Sequence, residues 1–588
     1  MLCNNYFTED LDLQLIFNSL IDWKPIIESW EGENFDDFNR YQKTGDTRYE
    51  MAPANIGEAQ ELYRSCLESL GEFFGTKVSQ VSSEMDKKGI SYNNGKVFFP
   101  QELLDLYEEF RKTGLLAYSI SREGGGLALP ATMWALFTMI MARADVSFCM
   151  TITLLNLAQI VARFGTAEQI ESYVTKASNG ESLFAMALTE PDFGSDLNNV
   201  RTTAIKMENG KYKINGTKRF ISQGCGLGEH PALLLTLART GKPNGGARGL
   251  SVFLVKSSDV KIAGIERKMG IHVSPTCEVV YEDVMGELLG EEGLGLTKYT
   301  LGMTNFMRLG SAAGGPGGAA GAFYECQKYA RERIQFGKFI EEIPAVSEML
   351  LKIKRETNAM RLLTLETARV IDMYQNHQIR LEKSGMEERL IRKDEKVKHW
   401  GNLASLLTPI AKYYCSEQAN QCASLAVQIH GGAGYTEDYD VARMFRDSRI
   451  NTIYEGTSQI HVRLATGGIL AGMTPDGNFR KYLENIKNDT KCTSKKLDDF
   501  FELLENSLQS FRAIESESER ERASENLMIL TARYLTALLY EKAVGKIVSE
   551  EIQSRWNLEY QSYLVDSIAI GLSCRYRIES YVLDKKSE

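Results

Sequence analysis

The periodicity of the chain changes at Glu181, and this change constrains the fold more than any other feature. From Ala52 to about Gly180 apolar residues recur at helical spacing: Ala59, Leu62, Tyr63 and Cys66, then Leu103, Leu106 and Tyr107, then Trp134, Phe137, Thr138 and Met141. From ESLFAMALTEPDFGSDL onward the texture is that of strands. The runs KYKING, KRFIS, PALLLTLA, LSVFLVK and CEVVYEDV are separated by turns such as NGK, KPNGGARG and EPDFGSD, which predicts a β-domain to about Glu287. From Gly295 the helical period returns. Helices on both sides of an interposed sheet make the fold class α+β, mostly α. The expected divisions are a helical extension at 1–50, a helical domain at 51–180, the β-domain at 181–290, a helical bundle at 291–471 and a further helical domain at 472–588.

Composition removes several function classes. A net charge of −10 weighs against a protein whose main partner is nucleic acid, because displacing counterions needs a basic face. Ten Cys without a CxxC pair and only six His indicate neither a disulfide framework nor a metal site. The N-terminus carries acids where a targeting signal carries bases, and no apolar run approaches ~20 residues, so a soluble, cytoplasmic protein without an integral membrane segment is expected.

Three stretches carry candidate chemistry. In QIHGGAGYTEDYDVARMFRDSRINTIYEGTSQIH, from Gln428 to His461, the small residues Gly431, Gly432, Ala433 and Gly434 let backbone N–H groups approach something bulky or anionic. The same stretch sets Glu455 between Tyr454 and Gly456, just ahead of a helix with Thr457 and Ser458 as expected caps. A lone loop acid reads as solvated; this one has unusual neighbours. In ARERIQFGKFI, Arg333 before an aromatic-Gly turn is placed to reach a pyrophosphate with a charge-assisted fork. In LTEPDFGSD, the Thr189 hydroxyl and the N–H groups after Pro191 can face the polar edge of a planar ring, with Gly194 permitting close approach.

QIHGGAGY, FRD and IYEGTSQIH, in that order and separation, resemble the acyl-CoA dehydrogenase family; MGIHVSPTCEVVYEDV, from Met269 to Val284, does too. The resemblance implies a C-terminal four-helix bundle, FAD as cofactor, an acyl-CoA substrate and Glu455 as general base. It lays Leu188, Thr189, Gly194 and Ser195 along the isoalloxazine, with Ser195 also near the substrate. In KRFISQG it puts Phe220 in place of the ring that covers the flavin and Ser222 in place of a Thr, although Phe220 as ordinary β-core stays open. Arg333, Gln335, Phe336, Ile340, Ile343, Gln428, Gly432, Thr457 and Gln459 fall at cofactor positions, several of them serving the flavin nucleotide of a partner subunit. Ile343 stands where a His is common and offers packing only. Asn305, Arg308, Tyr454 and Gly456 fall at substrate positions.

The resemblance also implies helix through Gly315, Pro316, Gly317 and Gly318, against propensity, with a kink at Pro316. The short passage into GELLGEEGLGL and the extra length at both ends suggest a longer bacterial branch of the family. A charged insertion is expected from about Gln375 to Lys398, then a helix from Thr408 to Val427. Beyond Gly472, Phe500, Leu503, Leu504 and Leu508 predict a packed helix in a domain with a packing or dimer role. The implied reaction is oxidation of the thioester to a trans-2-enoyl-CoA, as in fatty-acid β-oxidation, with electrons passed to electron-transfer flavoprotein in a homodimer or homotetramer. An acyl-CoA oxidase, or a non-catalytic flavoprotein serving as a binding or assembly module, are the alternatives.

Overall fold

The computed structural model describes residues 4–242, 245–490 and 494–583. They form two compact units, one of residues 4–9 and 31–310, the other of residues 10–30 and 311–583.

The helical part of the first unit contains Ile56–Phe73, capped by Asn55 accepting from the Glu58 N–H, and Ala131–Ala144, which is buried on every face. Trp134 on the latter stacks on Phe306 at 3.9 Å, and a Cβ on Gly310 would lie 2.6 Å from its ring. The part read as all-helical also holds a hairpin, β1 Ser91–Asn93 paired with β2 Lys96–Phe98. Asn94 and Gly95 turn it with φ of 48° and 81°, so the Asn-Gly pair was the signal for it. One expectation is corrected here. Val146–Phe164, two successive helices, is long and apolar enough by composition to cross a membrane, but 72 % of it is buried inside the protein.

Seven strands form the β-domain: β3 Leu183–Ala187, β4 Thr203–Lys206, β5 Tyr212–Ser222, β6 Ala232–Arg239, β7 Leu250–Lys256, β8 Lys261–Ile265 and β9 Thr276–Leu288. The sheet runs β3-β6-β4-β5-β9-β7, and β7 pairs β6 as well, which closes a small barrel with β3 and β8 on its flanks. The runs KYKING and KRFIS are one strand, bent by irregularities at Ile214/Gly216 and Lys218/Ile221. Ile214, Leu234, Phe253, Cys277 and Val279 fill its interior.

Leu301–Glu332 is helical throughout, as expected, Pro316 included. A Cβ on Gly315 would lie 2.8 Å from the Cys415 carbonyl oxygen, so the small residues serve close helix packing. With Pro344–Lys383, Glu395–His430 and Ser458–Gly472 this helix makes up the bundle. The expected helix from Thr408 to Val427 is longer at both ends, and Asp394 caps its N-terminus by accepting from the Val397 N–H. The insertion mostly lengthens these helices and adds the short helix Glu388–Ile391. The C-terminal helices Lys495–Ala513, Glu517–Lys546 and Glu550–Leu583 follow, with Phe500, Leu503, Leu504 and Leu508 buried.

The early segment Leu11–Leu20 packs in this second unit through Leu13, Ile16 and Phe17. Its Asp12 is buried and pairs with Lys354 and Arg555 and accepts from the Trp556 indole at 3.0 Å. Asp10 beside it pairs with buried Arg361.

Candidate active site

In the first unit, a buried ion pair fixes a ledge at the end of β3. Lys218 Nζ donates to the Leu188 carbonyl at 2.8 Å and pairs with Glu190 at 3.0 Å. Glu190 accepts in turn from the N–H groups of Arg201 and Thr202 at 2.7 and 2.9 Å. Burial pushes the Lys218 ammonium down to about 8 against the pull of Glu190; burial raises the Glu190 carboxyl, but Lys218 and the N–H donors bring it below its ordinary value. The Thr189 carbonyl accepts from the Arg219 N–H at 3.0 Å, so Leu188–Glu190 and Lys218–Phe220 are held side by side.

At the same place β5 carries a bulge. Lys218 pairs with Val279 and Ile221 with Cys277, so Arg219 and Phe220 together oppose Glu278. Phe220 takes a φ of 62° and is 54 % exposed, which removes its reading as ordinary β-core. The Arg219 guanidinium lies 5.0 Å from its ring and pairs with Glu266. Gly194 folds back to Thr189, whose Cγ2 would be 3.8 Å from an added Cβ, and Ser195 beside it is exposed. Ser222 ends the strand opposite Thr276. Elsewhere in this unit Arg308 Nη1 donates to Asn305 Oδ1 at 3.2 Å, so those two share a helical face as their spacing predicts.

In the second unit, Glu455 follows the α-helix Val441–Ser448 and the short 3-10 helix Arg449–Thr452 and precedes the helix Ser458–Gly472. Glu455 has a φ of 55°, Gly456 one of 97°, and Tyr454 and Glu455 are half-buried. His461 Nε2 lies 3.1 Å from the Glu455 carbonyl oxygen. Lys412, fully buried on Glu395–His430, donates from Nζ to the carbonyls of Asn451 and Gly456 at 2.7 and 2.8 Å. The loop is therefore clamped on both sides of Glu455. The expected capping differs: Thr457 is the N-cap residue but makes no side-chain cap bond, and the Ser458 hydroxyl donates to Glu417 instead.

A second group gathers around Tyr329 of the same unit. Arg333 leads into the hairpin β10 Ile334–Gln335 and β11 Lys338–Phe339, turned by Phe336 and Gly337 with φ of 53° and 77°. Phe336 is 92 % exposed, Arg333 and Gln335 are exposed, Ile340 is buried and Ile343 half-buried. Tyr329 stacks on His430 at 4.3 Å and donates to its carbonyl at 3.4 Å, which ties the root of the hairpin to the Gly431 turn. A Cβ on Gly431 or Gly432 would meet nothing within 4 Å, and Gln428 and Gln459 are exposed.

Sequence reasoning missed the residues that hold these groups in place. Lys218 and Lys412 sit in otherwise apolar strand and helix faces, KRFIS and TPIAKYYC, where a lone cation was the available sign of a buried partner. Among the described residues no group of His, Cys, Asp and Glu could hold a metal ion.

The N-terminal, middle and C-terminal domain profiles of the acyl-CoA dehydrogenases match residues 60–181, 185–284 and 292–470. The 3-methylmercaptopropionyl-CoA dehydrogenase of Ruegeria pomeroyi is 34 % identical over 423 residues, 68 % of each chain. The caffeyl-CoA reductase-Etf complex subunit CarC of Acetobacterium woodii is 33 % identical over 63 % of this chain and 90 % of its own. An acyl-CoA dehydrogenase from Bacillus anthracis, solved with FAD, shares the fold with a TM-score of 0.72 at 23 % identity, covering 88 % of both chains. The chain belongs to the acyl-CoA dehydrogenases, a family of FAD-dependent oxidoreductases.

Proposed function

We propose that this protein oxidises an acyl-CoA thioester to its trans-2-enoyl-CoA with Glu455 as the base. The observation that carries the reading is the backbone of Glu455. A non-glycine residue at positive φ costs about 1–3 kcal/mol and persists where its surroundings impose it. Here Lys412 and His461 do so through main-chain oxygens.

The residues present fit a flavin. A half-exposed Phe220 aimed outward by a bulge, beside the hydroxyls of Thr189 and Ser222, offers a ring face and polar edge contacts. Leu188, Gly194 and Ser195 would complete the seat of the isoalloxazine. Arg333, Gln335, Phe336, Ile340 and Ile343, with Gln428, Gly432, Thr457 and Gln459, would hold the nucleotide of a partner subunit in a homodimer or homotetramer. An almost wholly exposed Phe336 and an open Gly431 turn support an intermolecular role. Bound FAD would supply the acceptor for the β-hydride.

The Glu455 carboxylate takes the α-proton, while its own N–H donates to the thioester oxygen and so stabilises the developing enolate. Tyr454 and Gly456 shape the slot around the reacting carbons. Ser195, Asn305 and Arg308 bind the CoA-bearing part of the substrate. Electron-transfer flavoprotein is the proposed acceptor, supported by the relative that is a subunit of a reductase-Etf complex. A cytoplasmic site fits the free thiols among the described cysteines. Anaerobic titration with a panel of acyl-CoA thioesters tests the reading: at least one bleaches the visible flavin band, and if none does the protein is not this enzyme.

A further inference from the structure

Just past the bulge that aims Phe220, the chain turns through Gln223, Gly224 and Cys225, with the Gln223 N–H donating to the Pro275 carbonyl and Gln223 at a φ of 59°. This turn folds back over β9. A Cβ on Gly224 would lie 3.2 Å from both Ile221 and Val279. Cys277 is two residues before Val279, on the same face of β9, and pairs with Ile221 in register. Cys277 is fully buried, and Cys225 is partly exposed and packs on the cluster that contains it. Both thiols are reduced, and the turn makes them neighbours within that cluster.

The pair differs from the other described cysteines. Burial pushes the thiols of Cys66 and Cys415 up to about 12 and that of Cys574 up to about 11. Cys277 is instead held below its ordinary value, first by the hydrogen bond with Cys225 and then, against burial, by the nearby N–H groups of Cys225 and Gly224 and by the Lys268 ammonium. Its partner Cys225 moves the other way, through the same hydrogen bond and through burial. A thiolate stabilised beside a second, more accessible thiol is the arrangement that closes a disulfide readily.

We propose that Cys225 and Cys277 form a reversible disulfide, a redox-modification site on the β-domain next to the Phe220 bulge. The oxidant is a low-molecular-weight disulfide, RSSR. The Cys225 sulfur attacks it as its proton passes to the neighbouring Cys277 thiolate, forming a Cys225–SR bond and releasing RS⁻, which takes that proton on from Cys277. The Cys277 thiolate then attacks the Cys225 sulfur, breaking the Cys225–SR bond and expelling a second RS⁻, protonated from solvent. Two protein thiols lose two electrons in all, and RSSR becomes two RSH. Resting on the reading of Phe220 and Ser222 as flavin contacts, the disulfide also stiffens the turn that follows them and changes flavin retention.

The test uses the FAD-loaded full chain and oxidised glutathione. After alkylation and digestion, mass spectrometry is expected to find a linked peptide pair containing Cys225 and Cys277, which dithiothreitol abolishes. Free thiols per chain fall by two. In Cys225→Ser the linked pair and the loss of two thiols are both absent. Cys225 and Cys277 both alkylated in full after oxidation, or a glutathione adduct on Cys225 that never passes to Cys277, overturns the proposal. The mass readout is independent of flavin: a linked pair without any change in flavin retention leaves the disulfide standing and counts only against the flavin assignment of the turn.

Discussion

Two acids of the second unit, Asp12 and Glu455, sit in polar surroundings of opposite design. At Asp12 the neighbours address the carboxylate: Lys354, Arg555 and the Trp556 indole converge on its oxygens. Burial works against its charge, yet Lys354 and Arg555 hold it far below the usual carboxylate range. At Glu455 the clamps described above address the main chain, through the carbonyls of Asn451, Glu455 and Gly456. The first arrangement uses an acid to fasten an N-terminal segment. The second uses the backbone to set where an acid points. The type of residue says little by itself; which of its atoms the neighbours hold separates a structural carboxylate from a candidate base.

The largest test of this contrast is Glu455→Gln. It is expected to lower acyl-CoA oxidation by about 10²- to 10⁴-fold with FAD content unchanged, measured as dye reduction. Asp12→Ala is expected to leave activity per folded molecule near wild type but to cost stability, about 3–5 kcal/mol, because it strands Lys354 and Arg555 beside each other. Chemical denaturation reads the loss. If the two variants exchange phenotypes, the comparison fails.

Lys412→Met sharpens the second half. It leaves the Asn451 and Gly456 carbonyls without their buried donor, at about 1–3 kcal/mol each, so turnover is expected to fall while flavin stays bound. Phe220→Gly relieves a positive φ and removes the exposed ring; flavin binding, followed by fluorescence titration of the apoprotein, is expected to weaken about tenfold without loss of fold stability.

The smallest effect concerns pH at the Asp12 seam. Glu559, which accepts from Asn358, Tyr540 and Arg555, is raised above 4.5 by burial first and by Asp12 next. Its folded value exceeds its unfolded one, so its contribution is complete below about pH 4.5 and is lost as pH rises through the folded value. Asp12 has the reverse sign: its contribution is present above 3.8 and is lost as pH falls toward its much lower folded value. Glu559→Gln is expected to abolish the decline on the alkaline side and to keep the acid one, read from unfolding midpoints across pH.

What the sequence made legible follows from these same distinctions. The β-domain between helical blocks, and the helix through Pro316, could be anticipated because strand and helix periods, and the family resemblance, bear on the chain locally. Candidate site residues could be named, but the props could not. Lys218 meets Glu190 from 28 residues away, and Lys412 reaches Gly456 across 44, distances at which no local pattern records a partner. The bulge at Phe220 was hidden for a related reason, since a bulge is defined by the register with β9 and not by KRFIS alone. Asp12 read as one acid in an amphipathic start, with nothing nearby in sequence to mark Lys354 and Arg555 as its partners.

The central claim is that Glu455 removes the α-proton, and isotope exchange reads that step apart from oxidation. FAD-loaded wild type and Glu455→Gln are incubated in deuterium oxide with a 3-thiaacyl-CoA, whose β-position has no hydride to give, and deuterium at the α-carbon is followed by mass spectrometry. The account predicts exchange with the wild type and none above background with the variant. Equal exchange by both would contradict it.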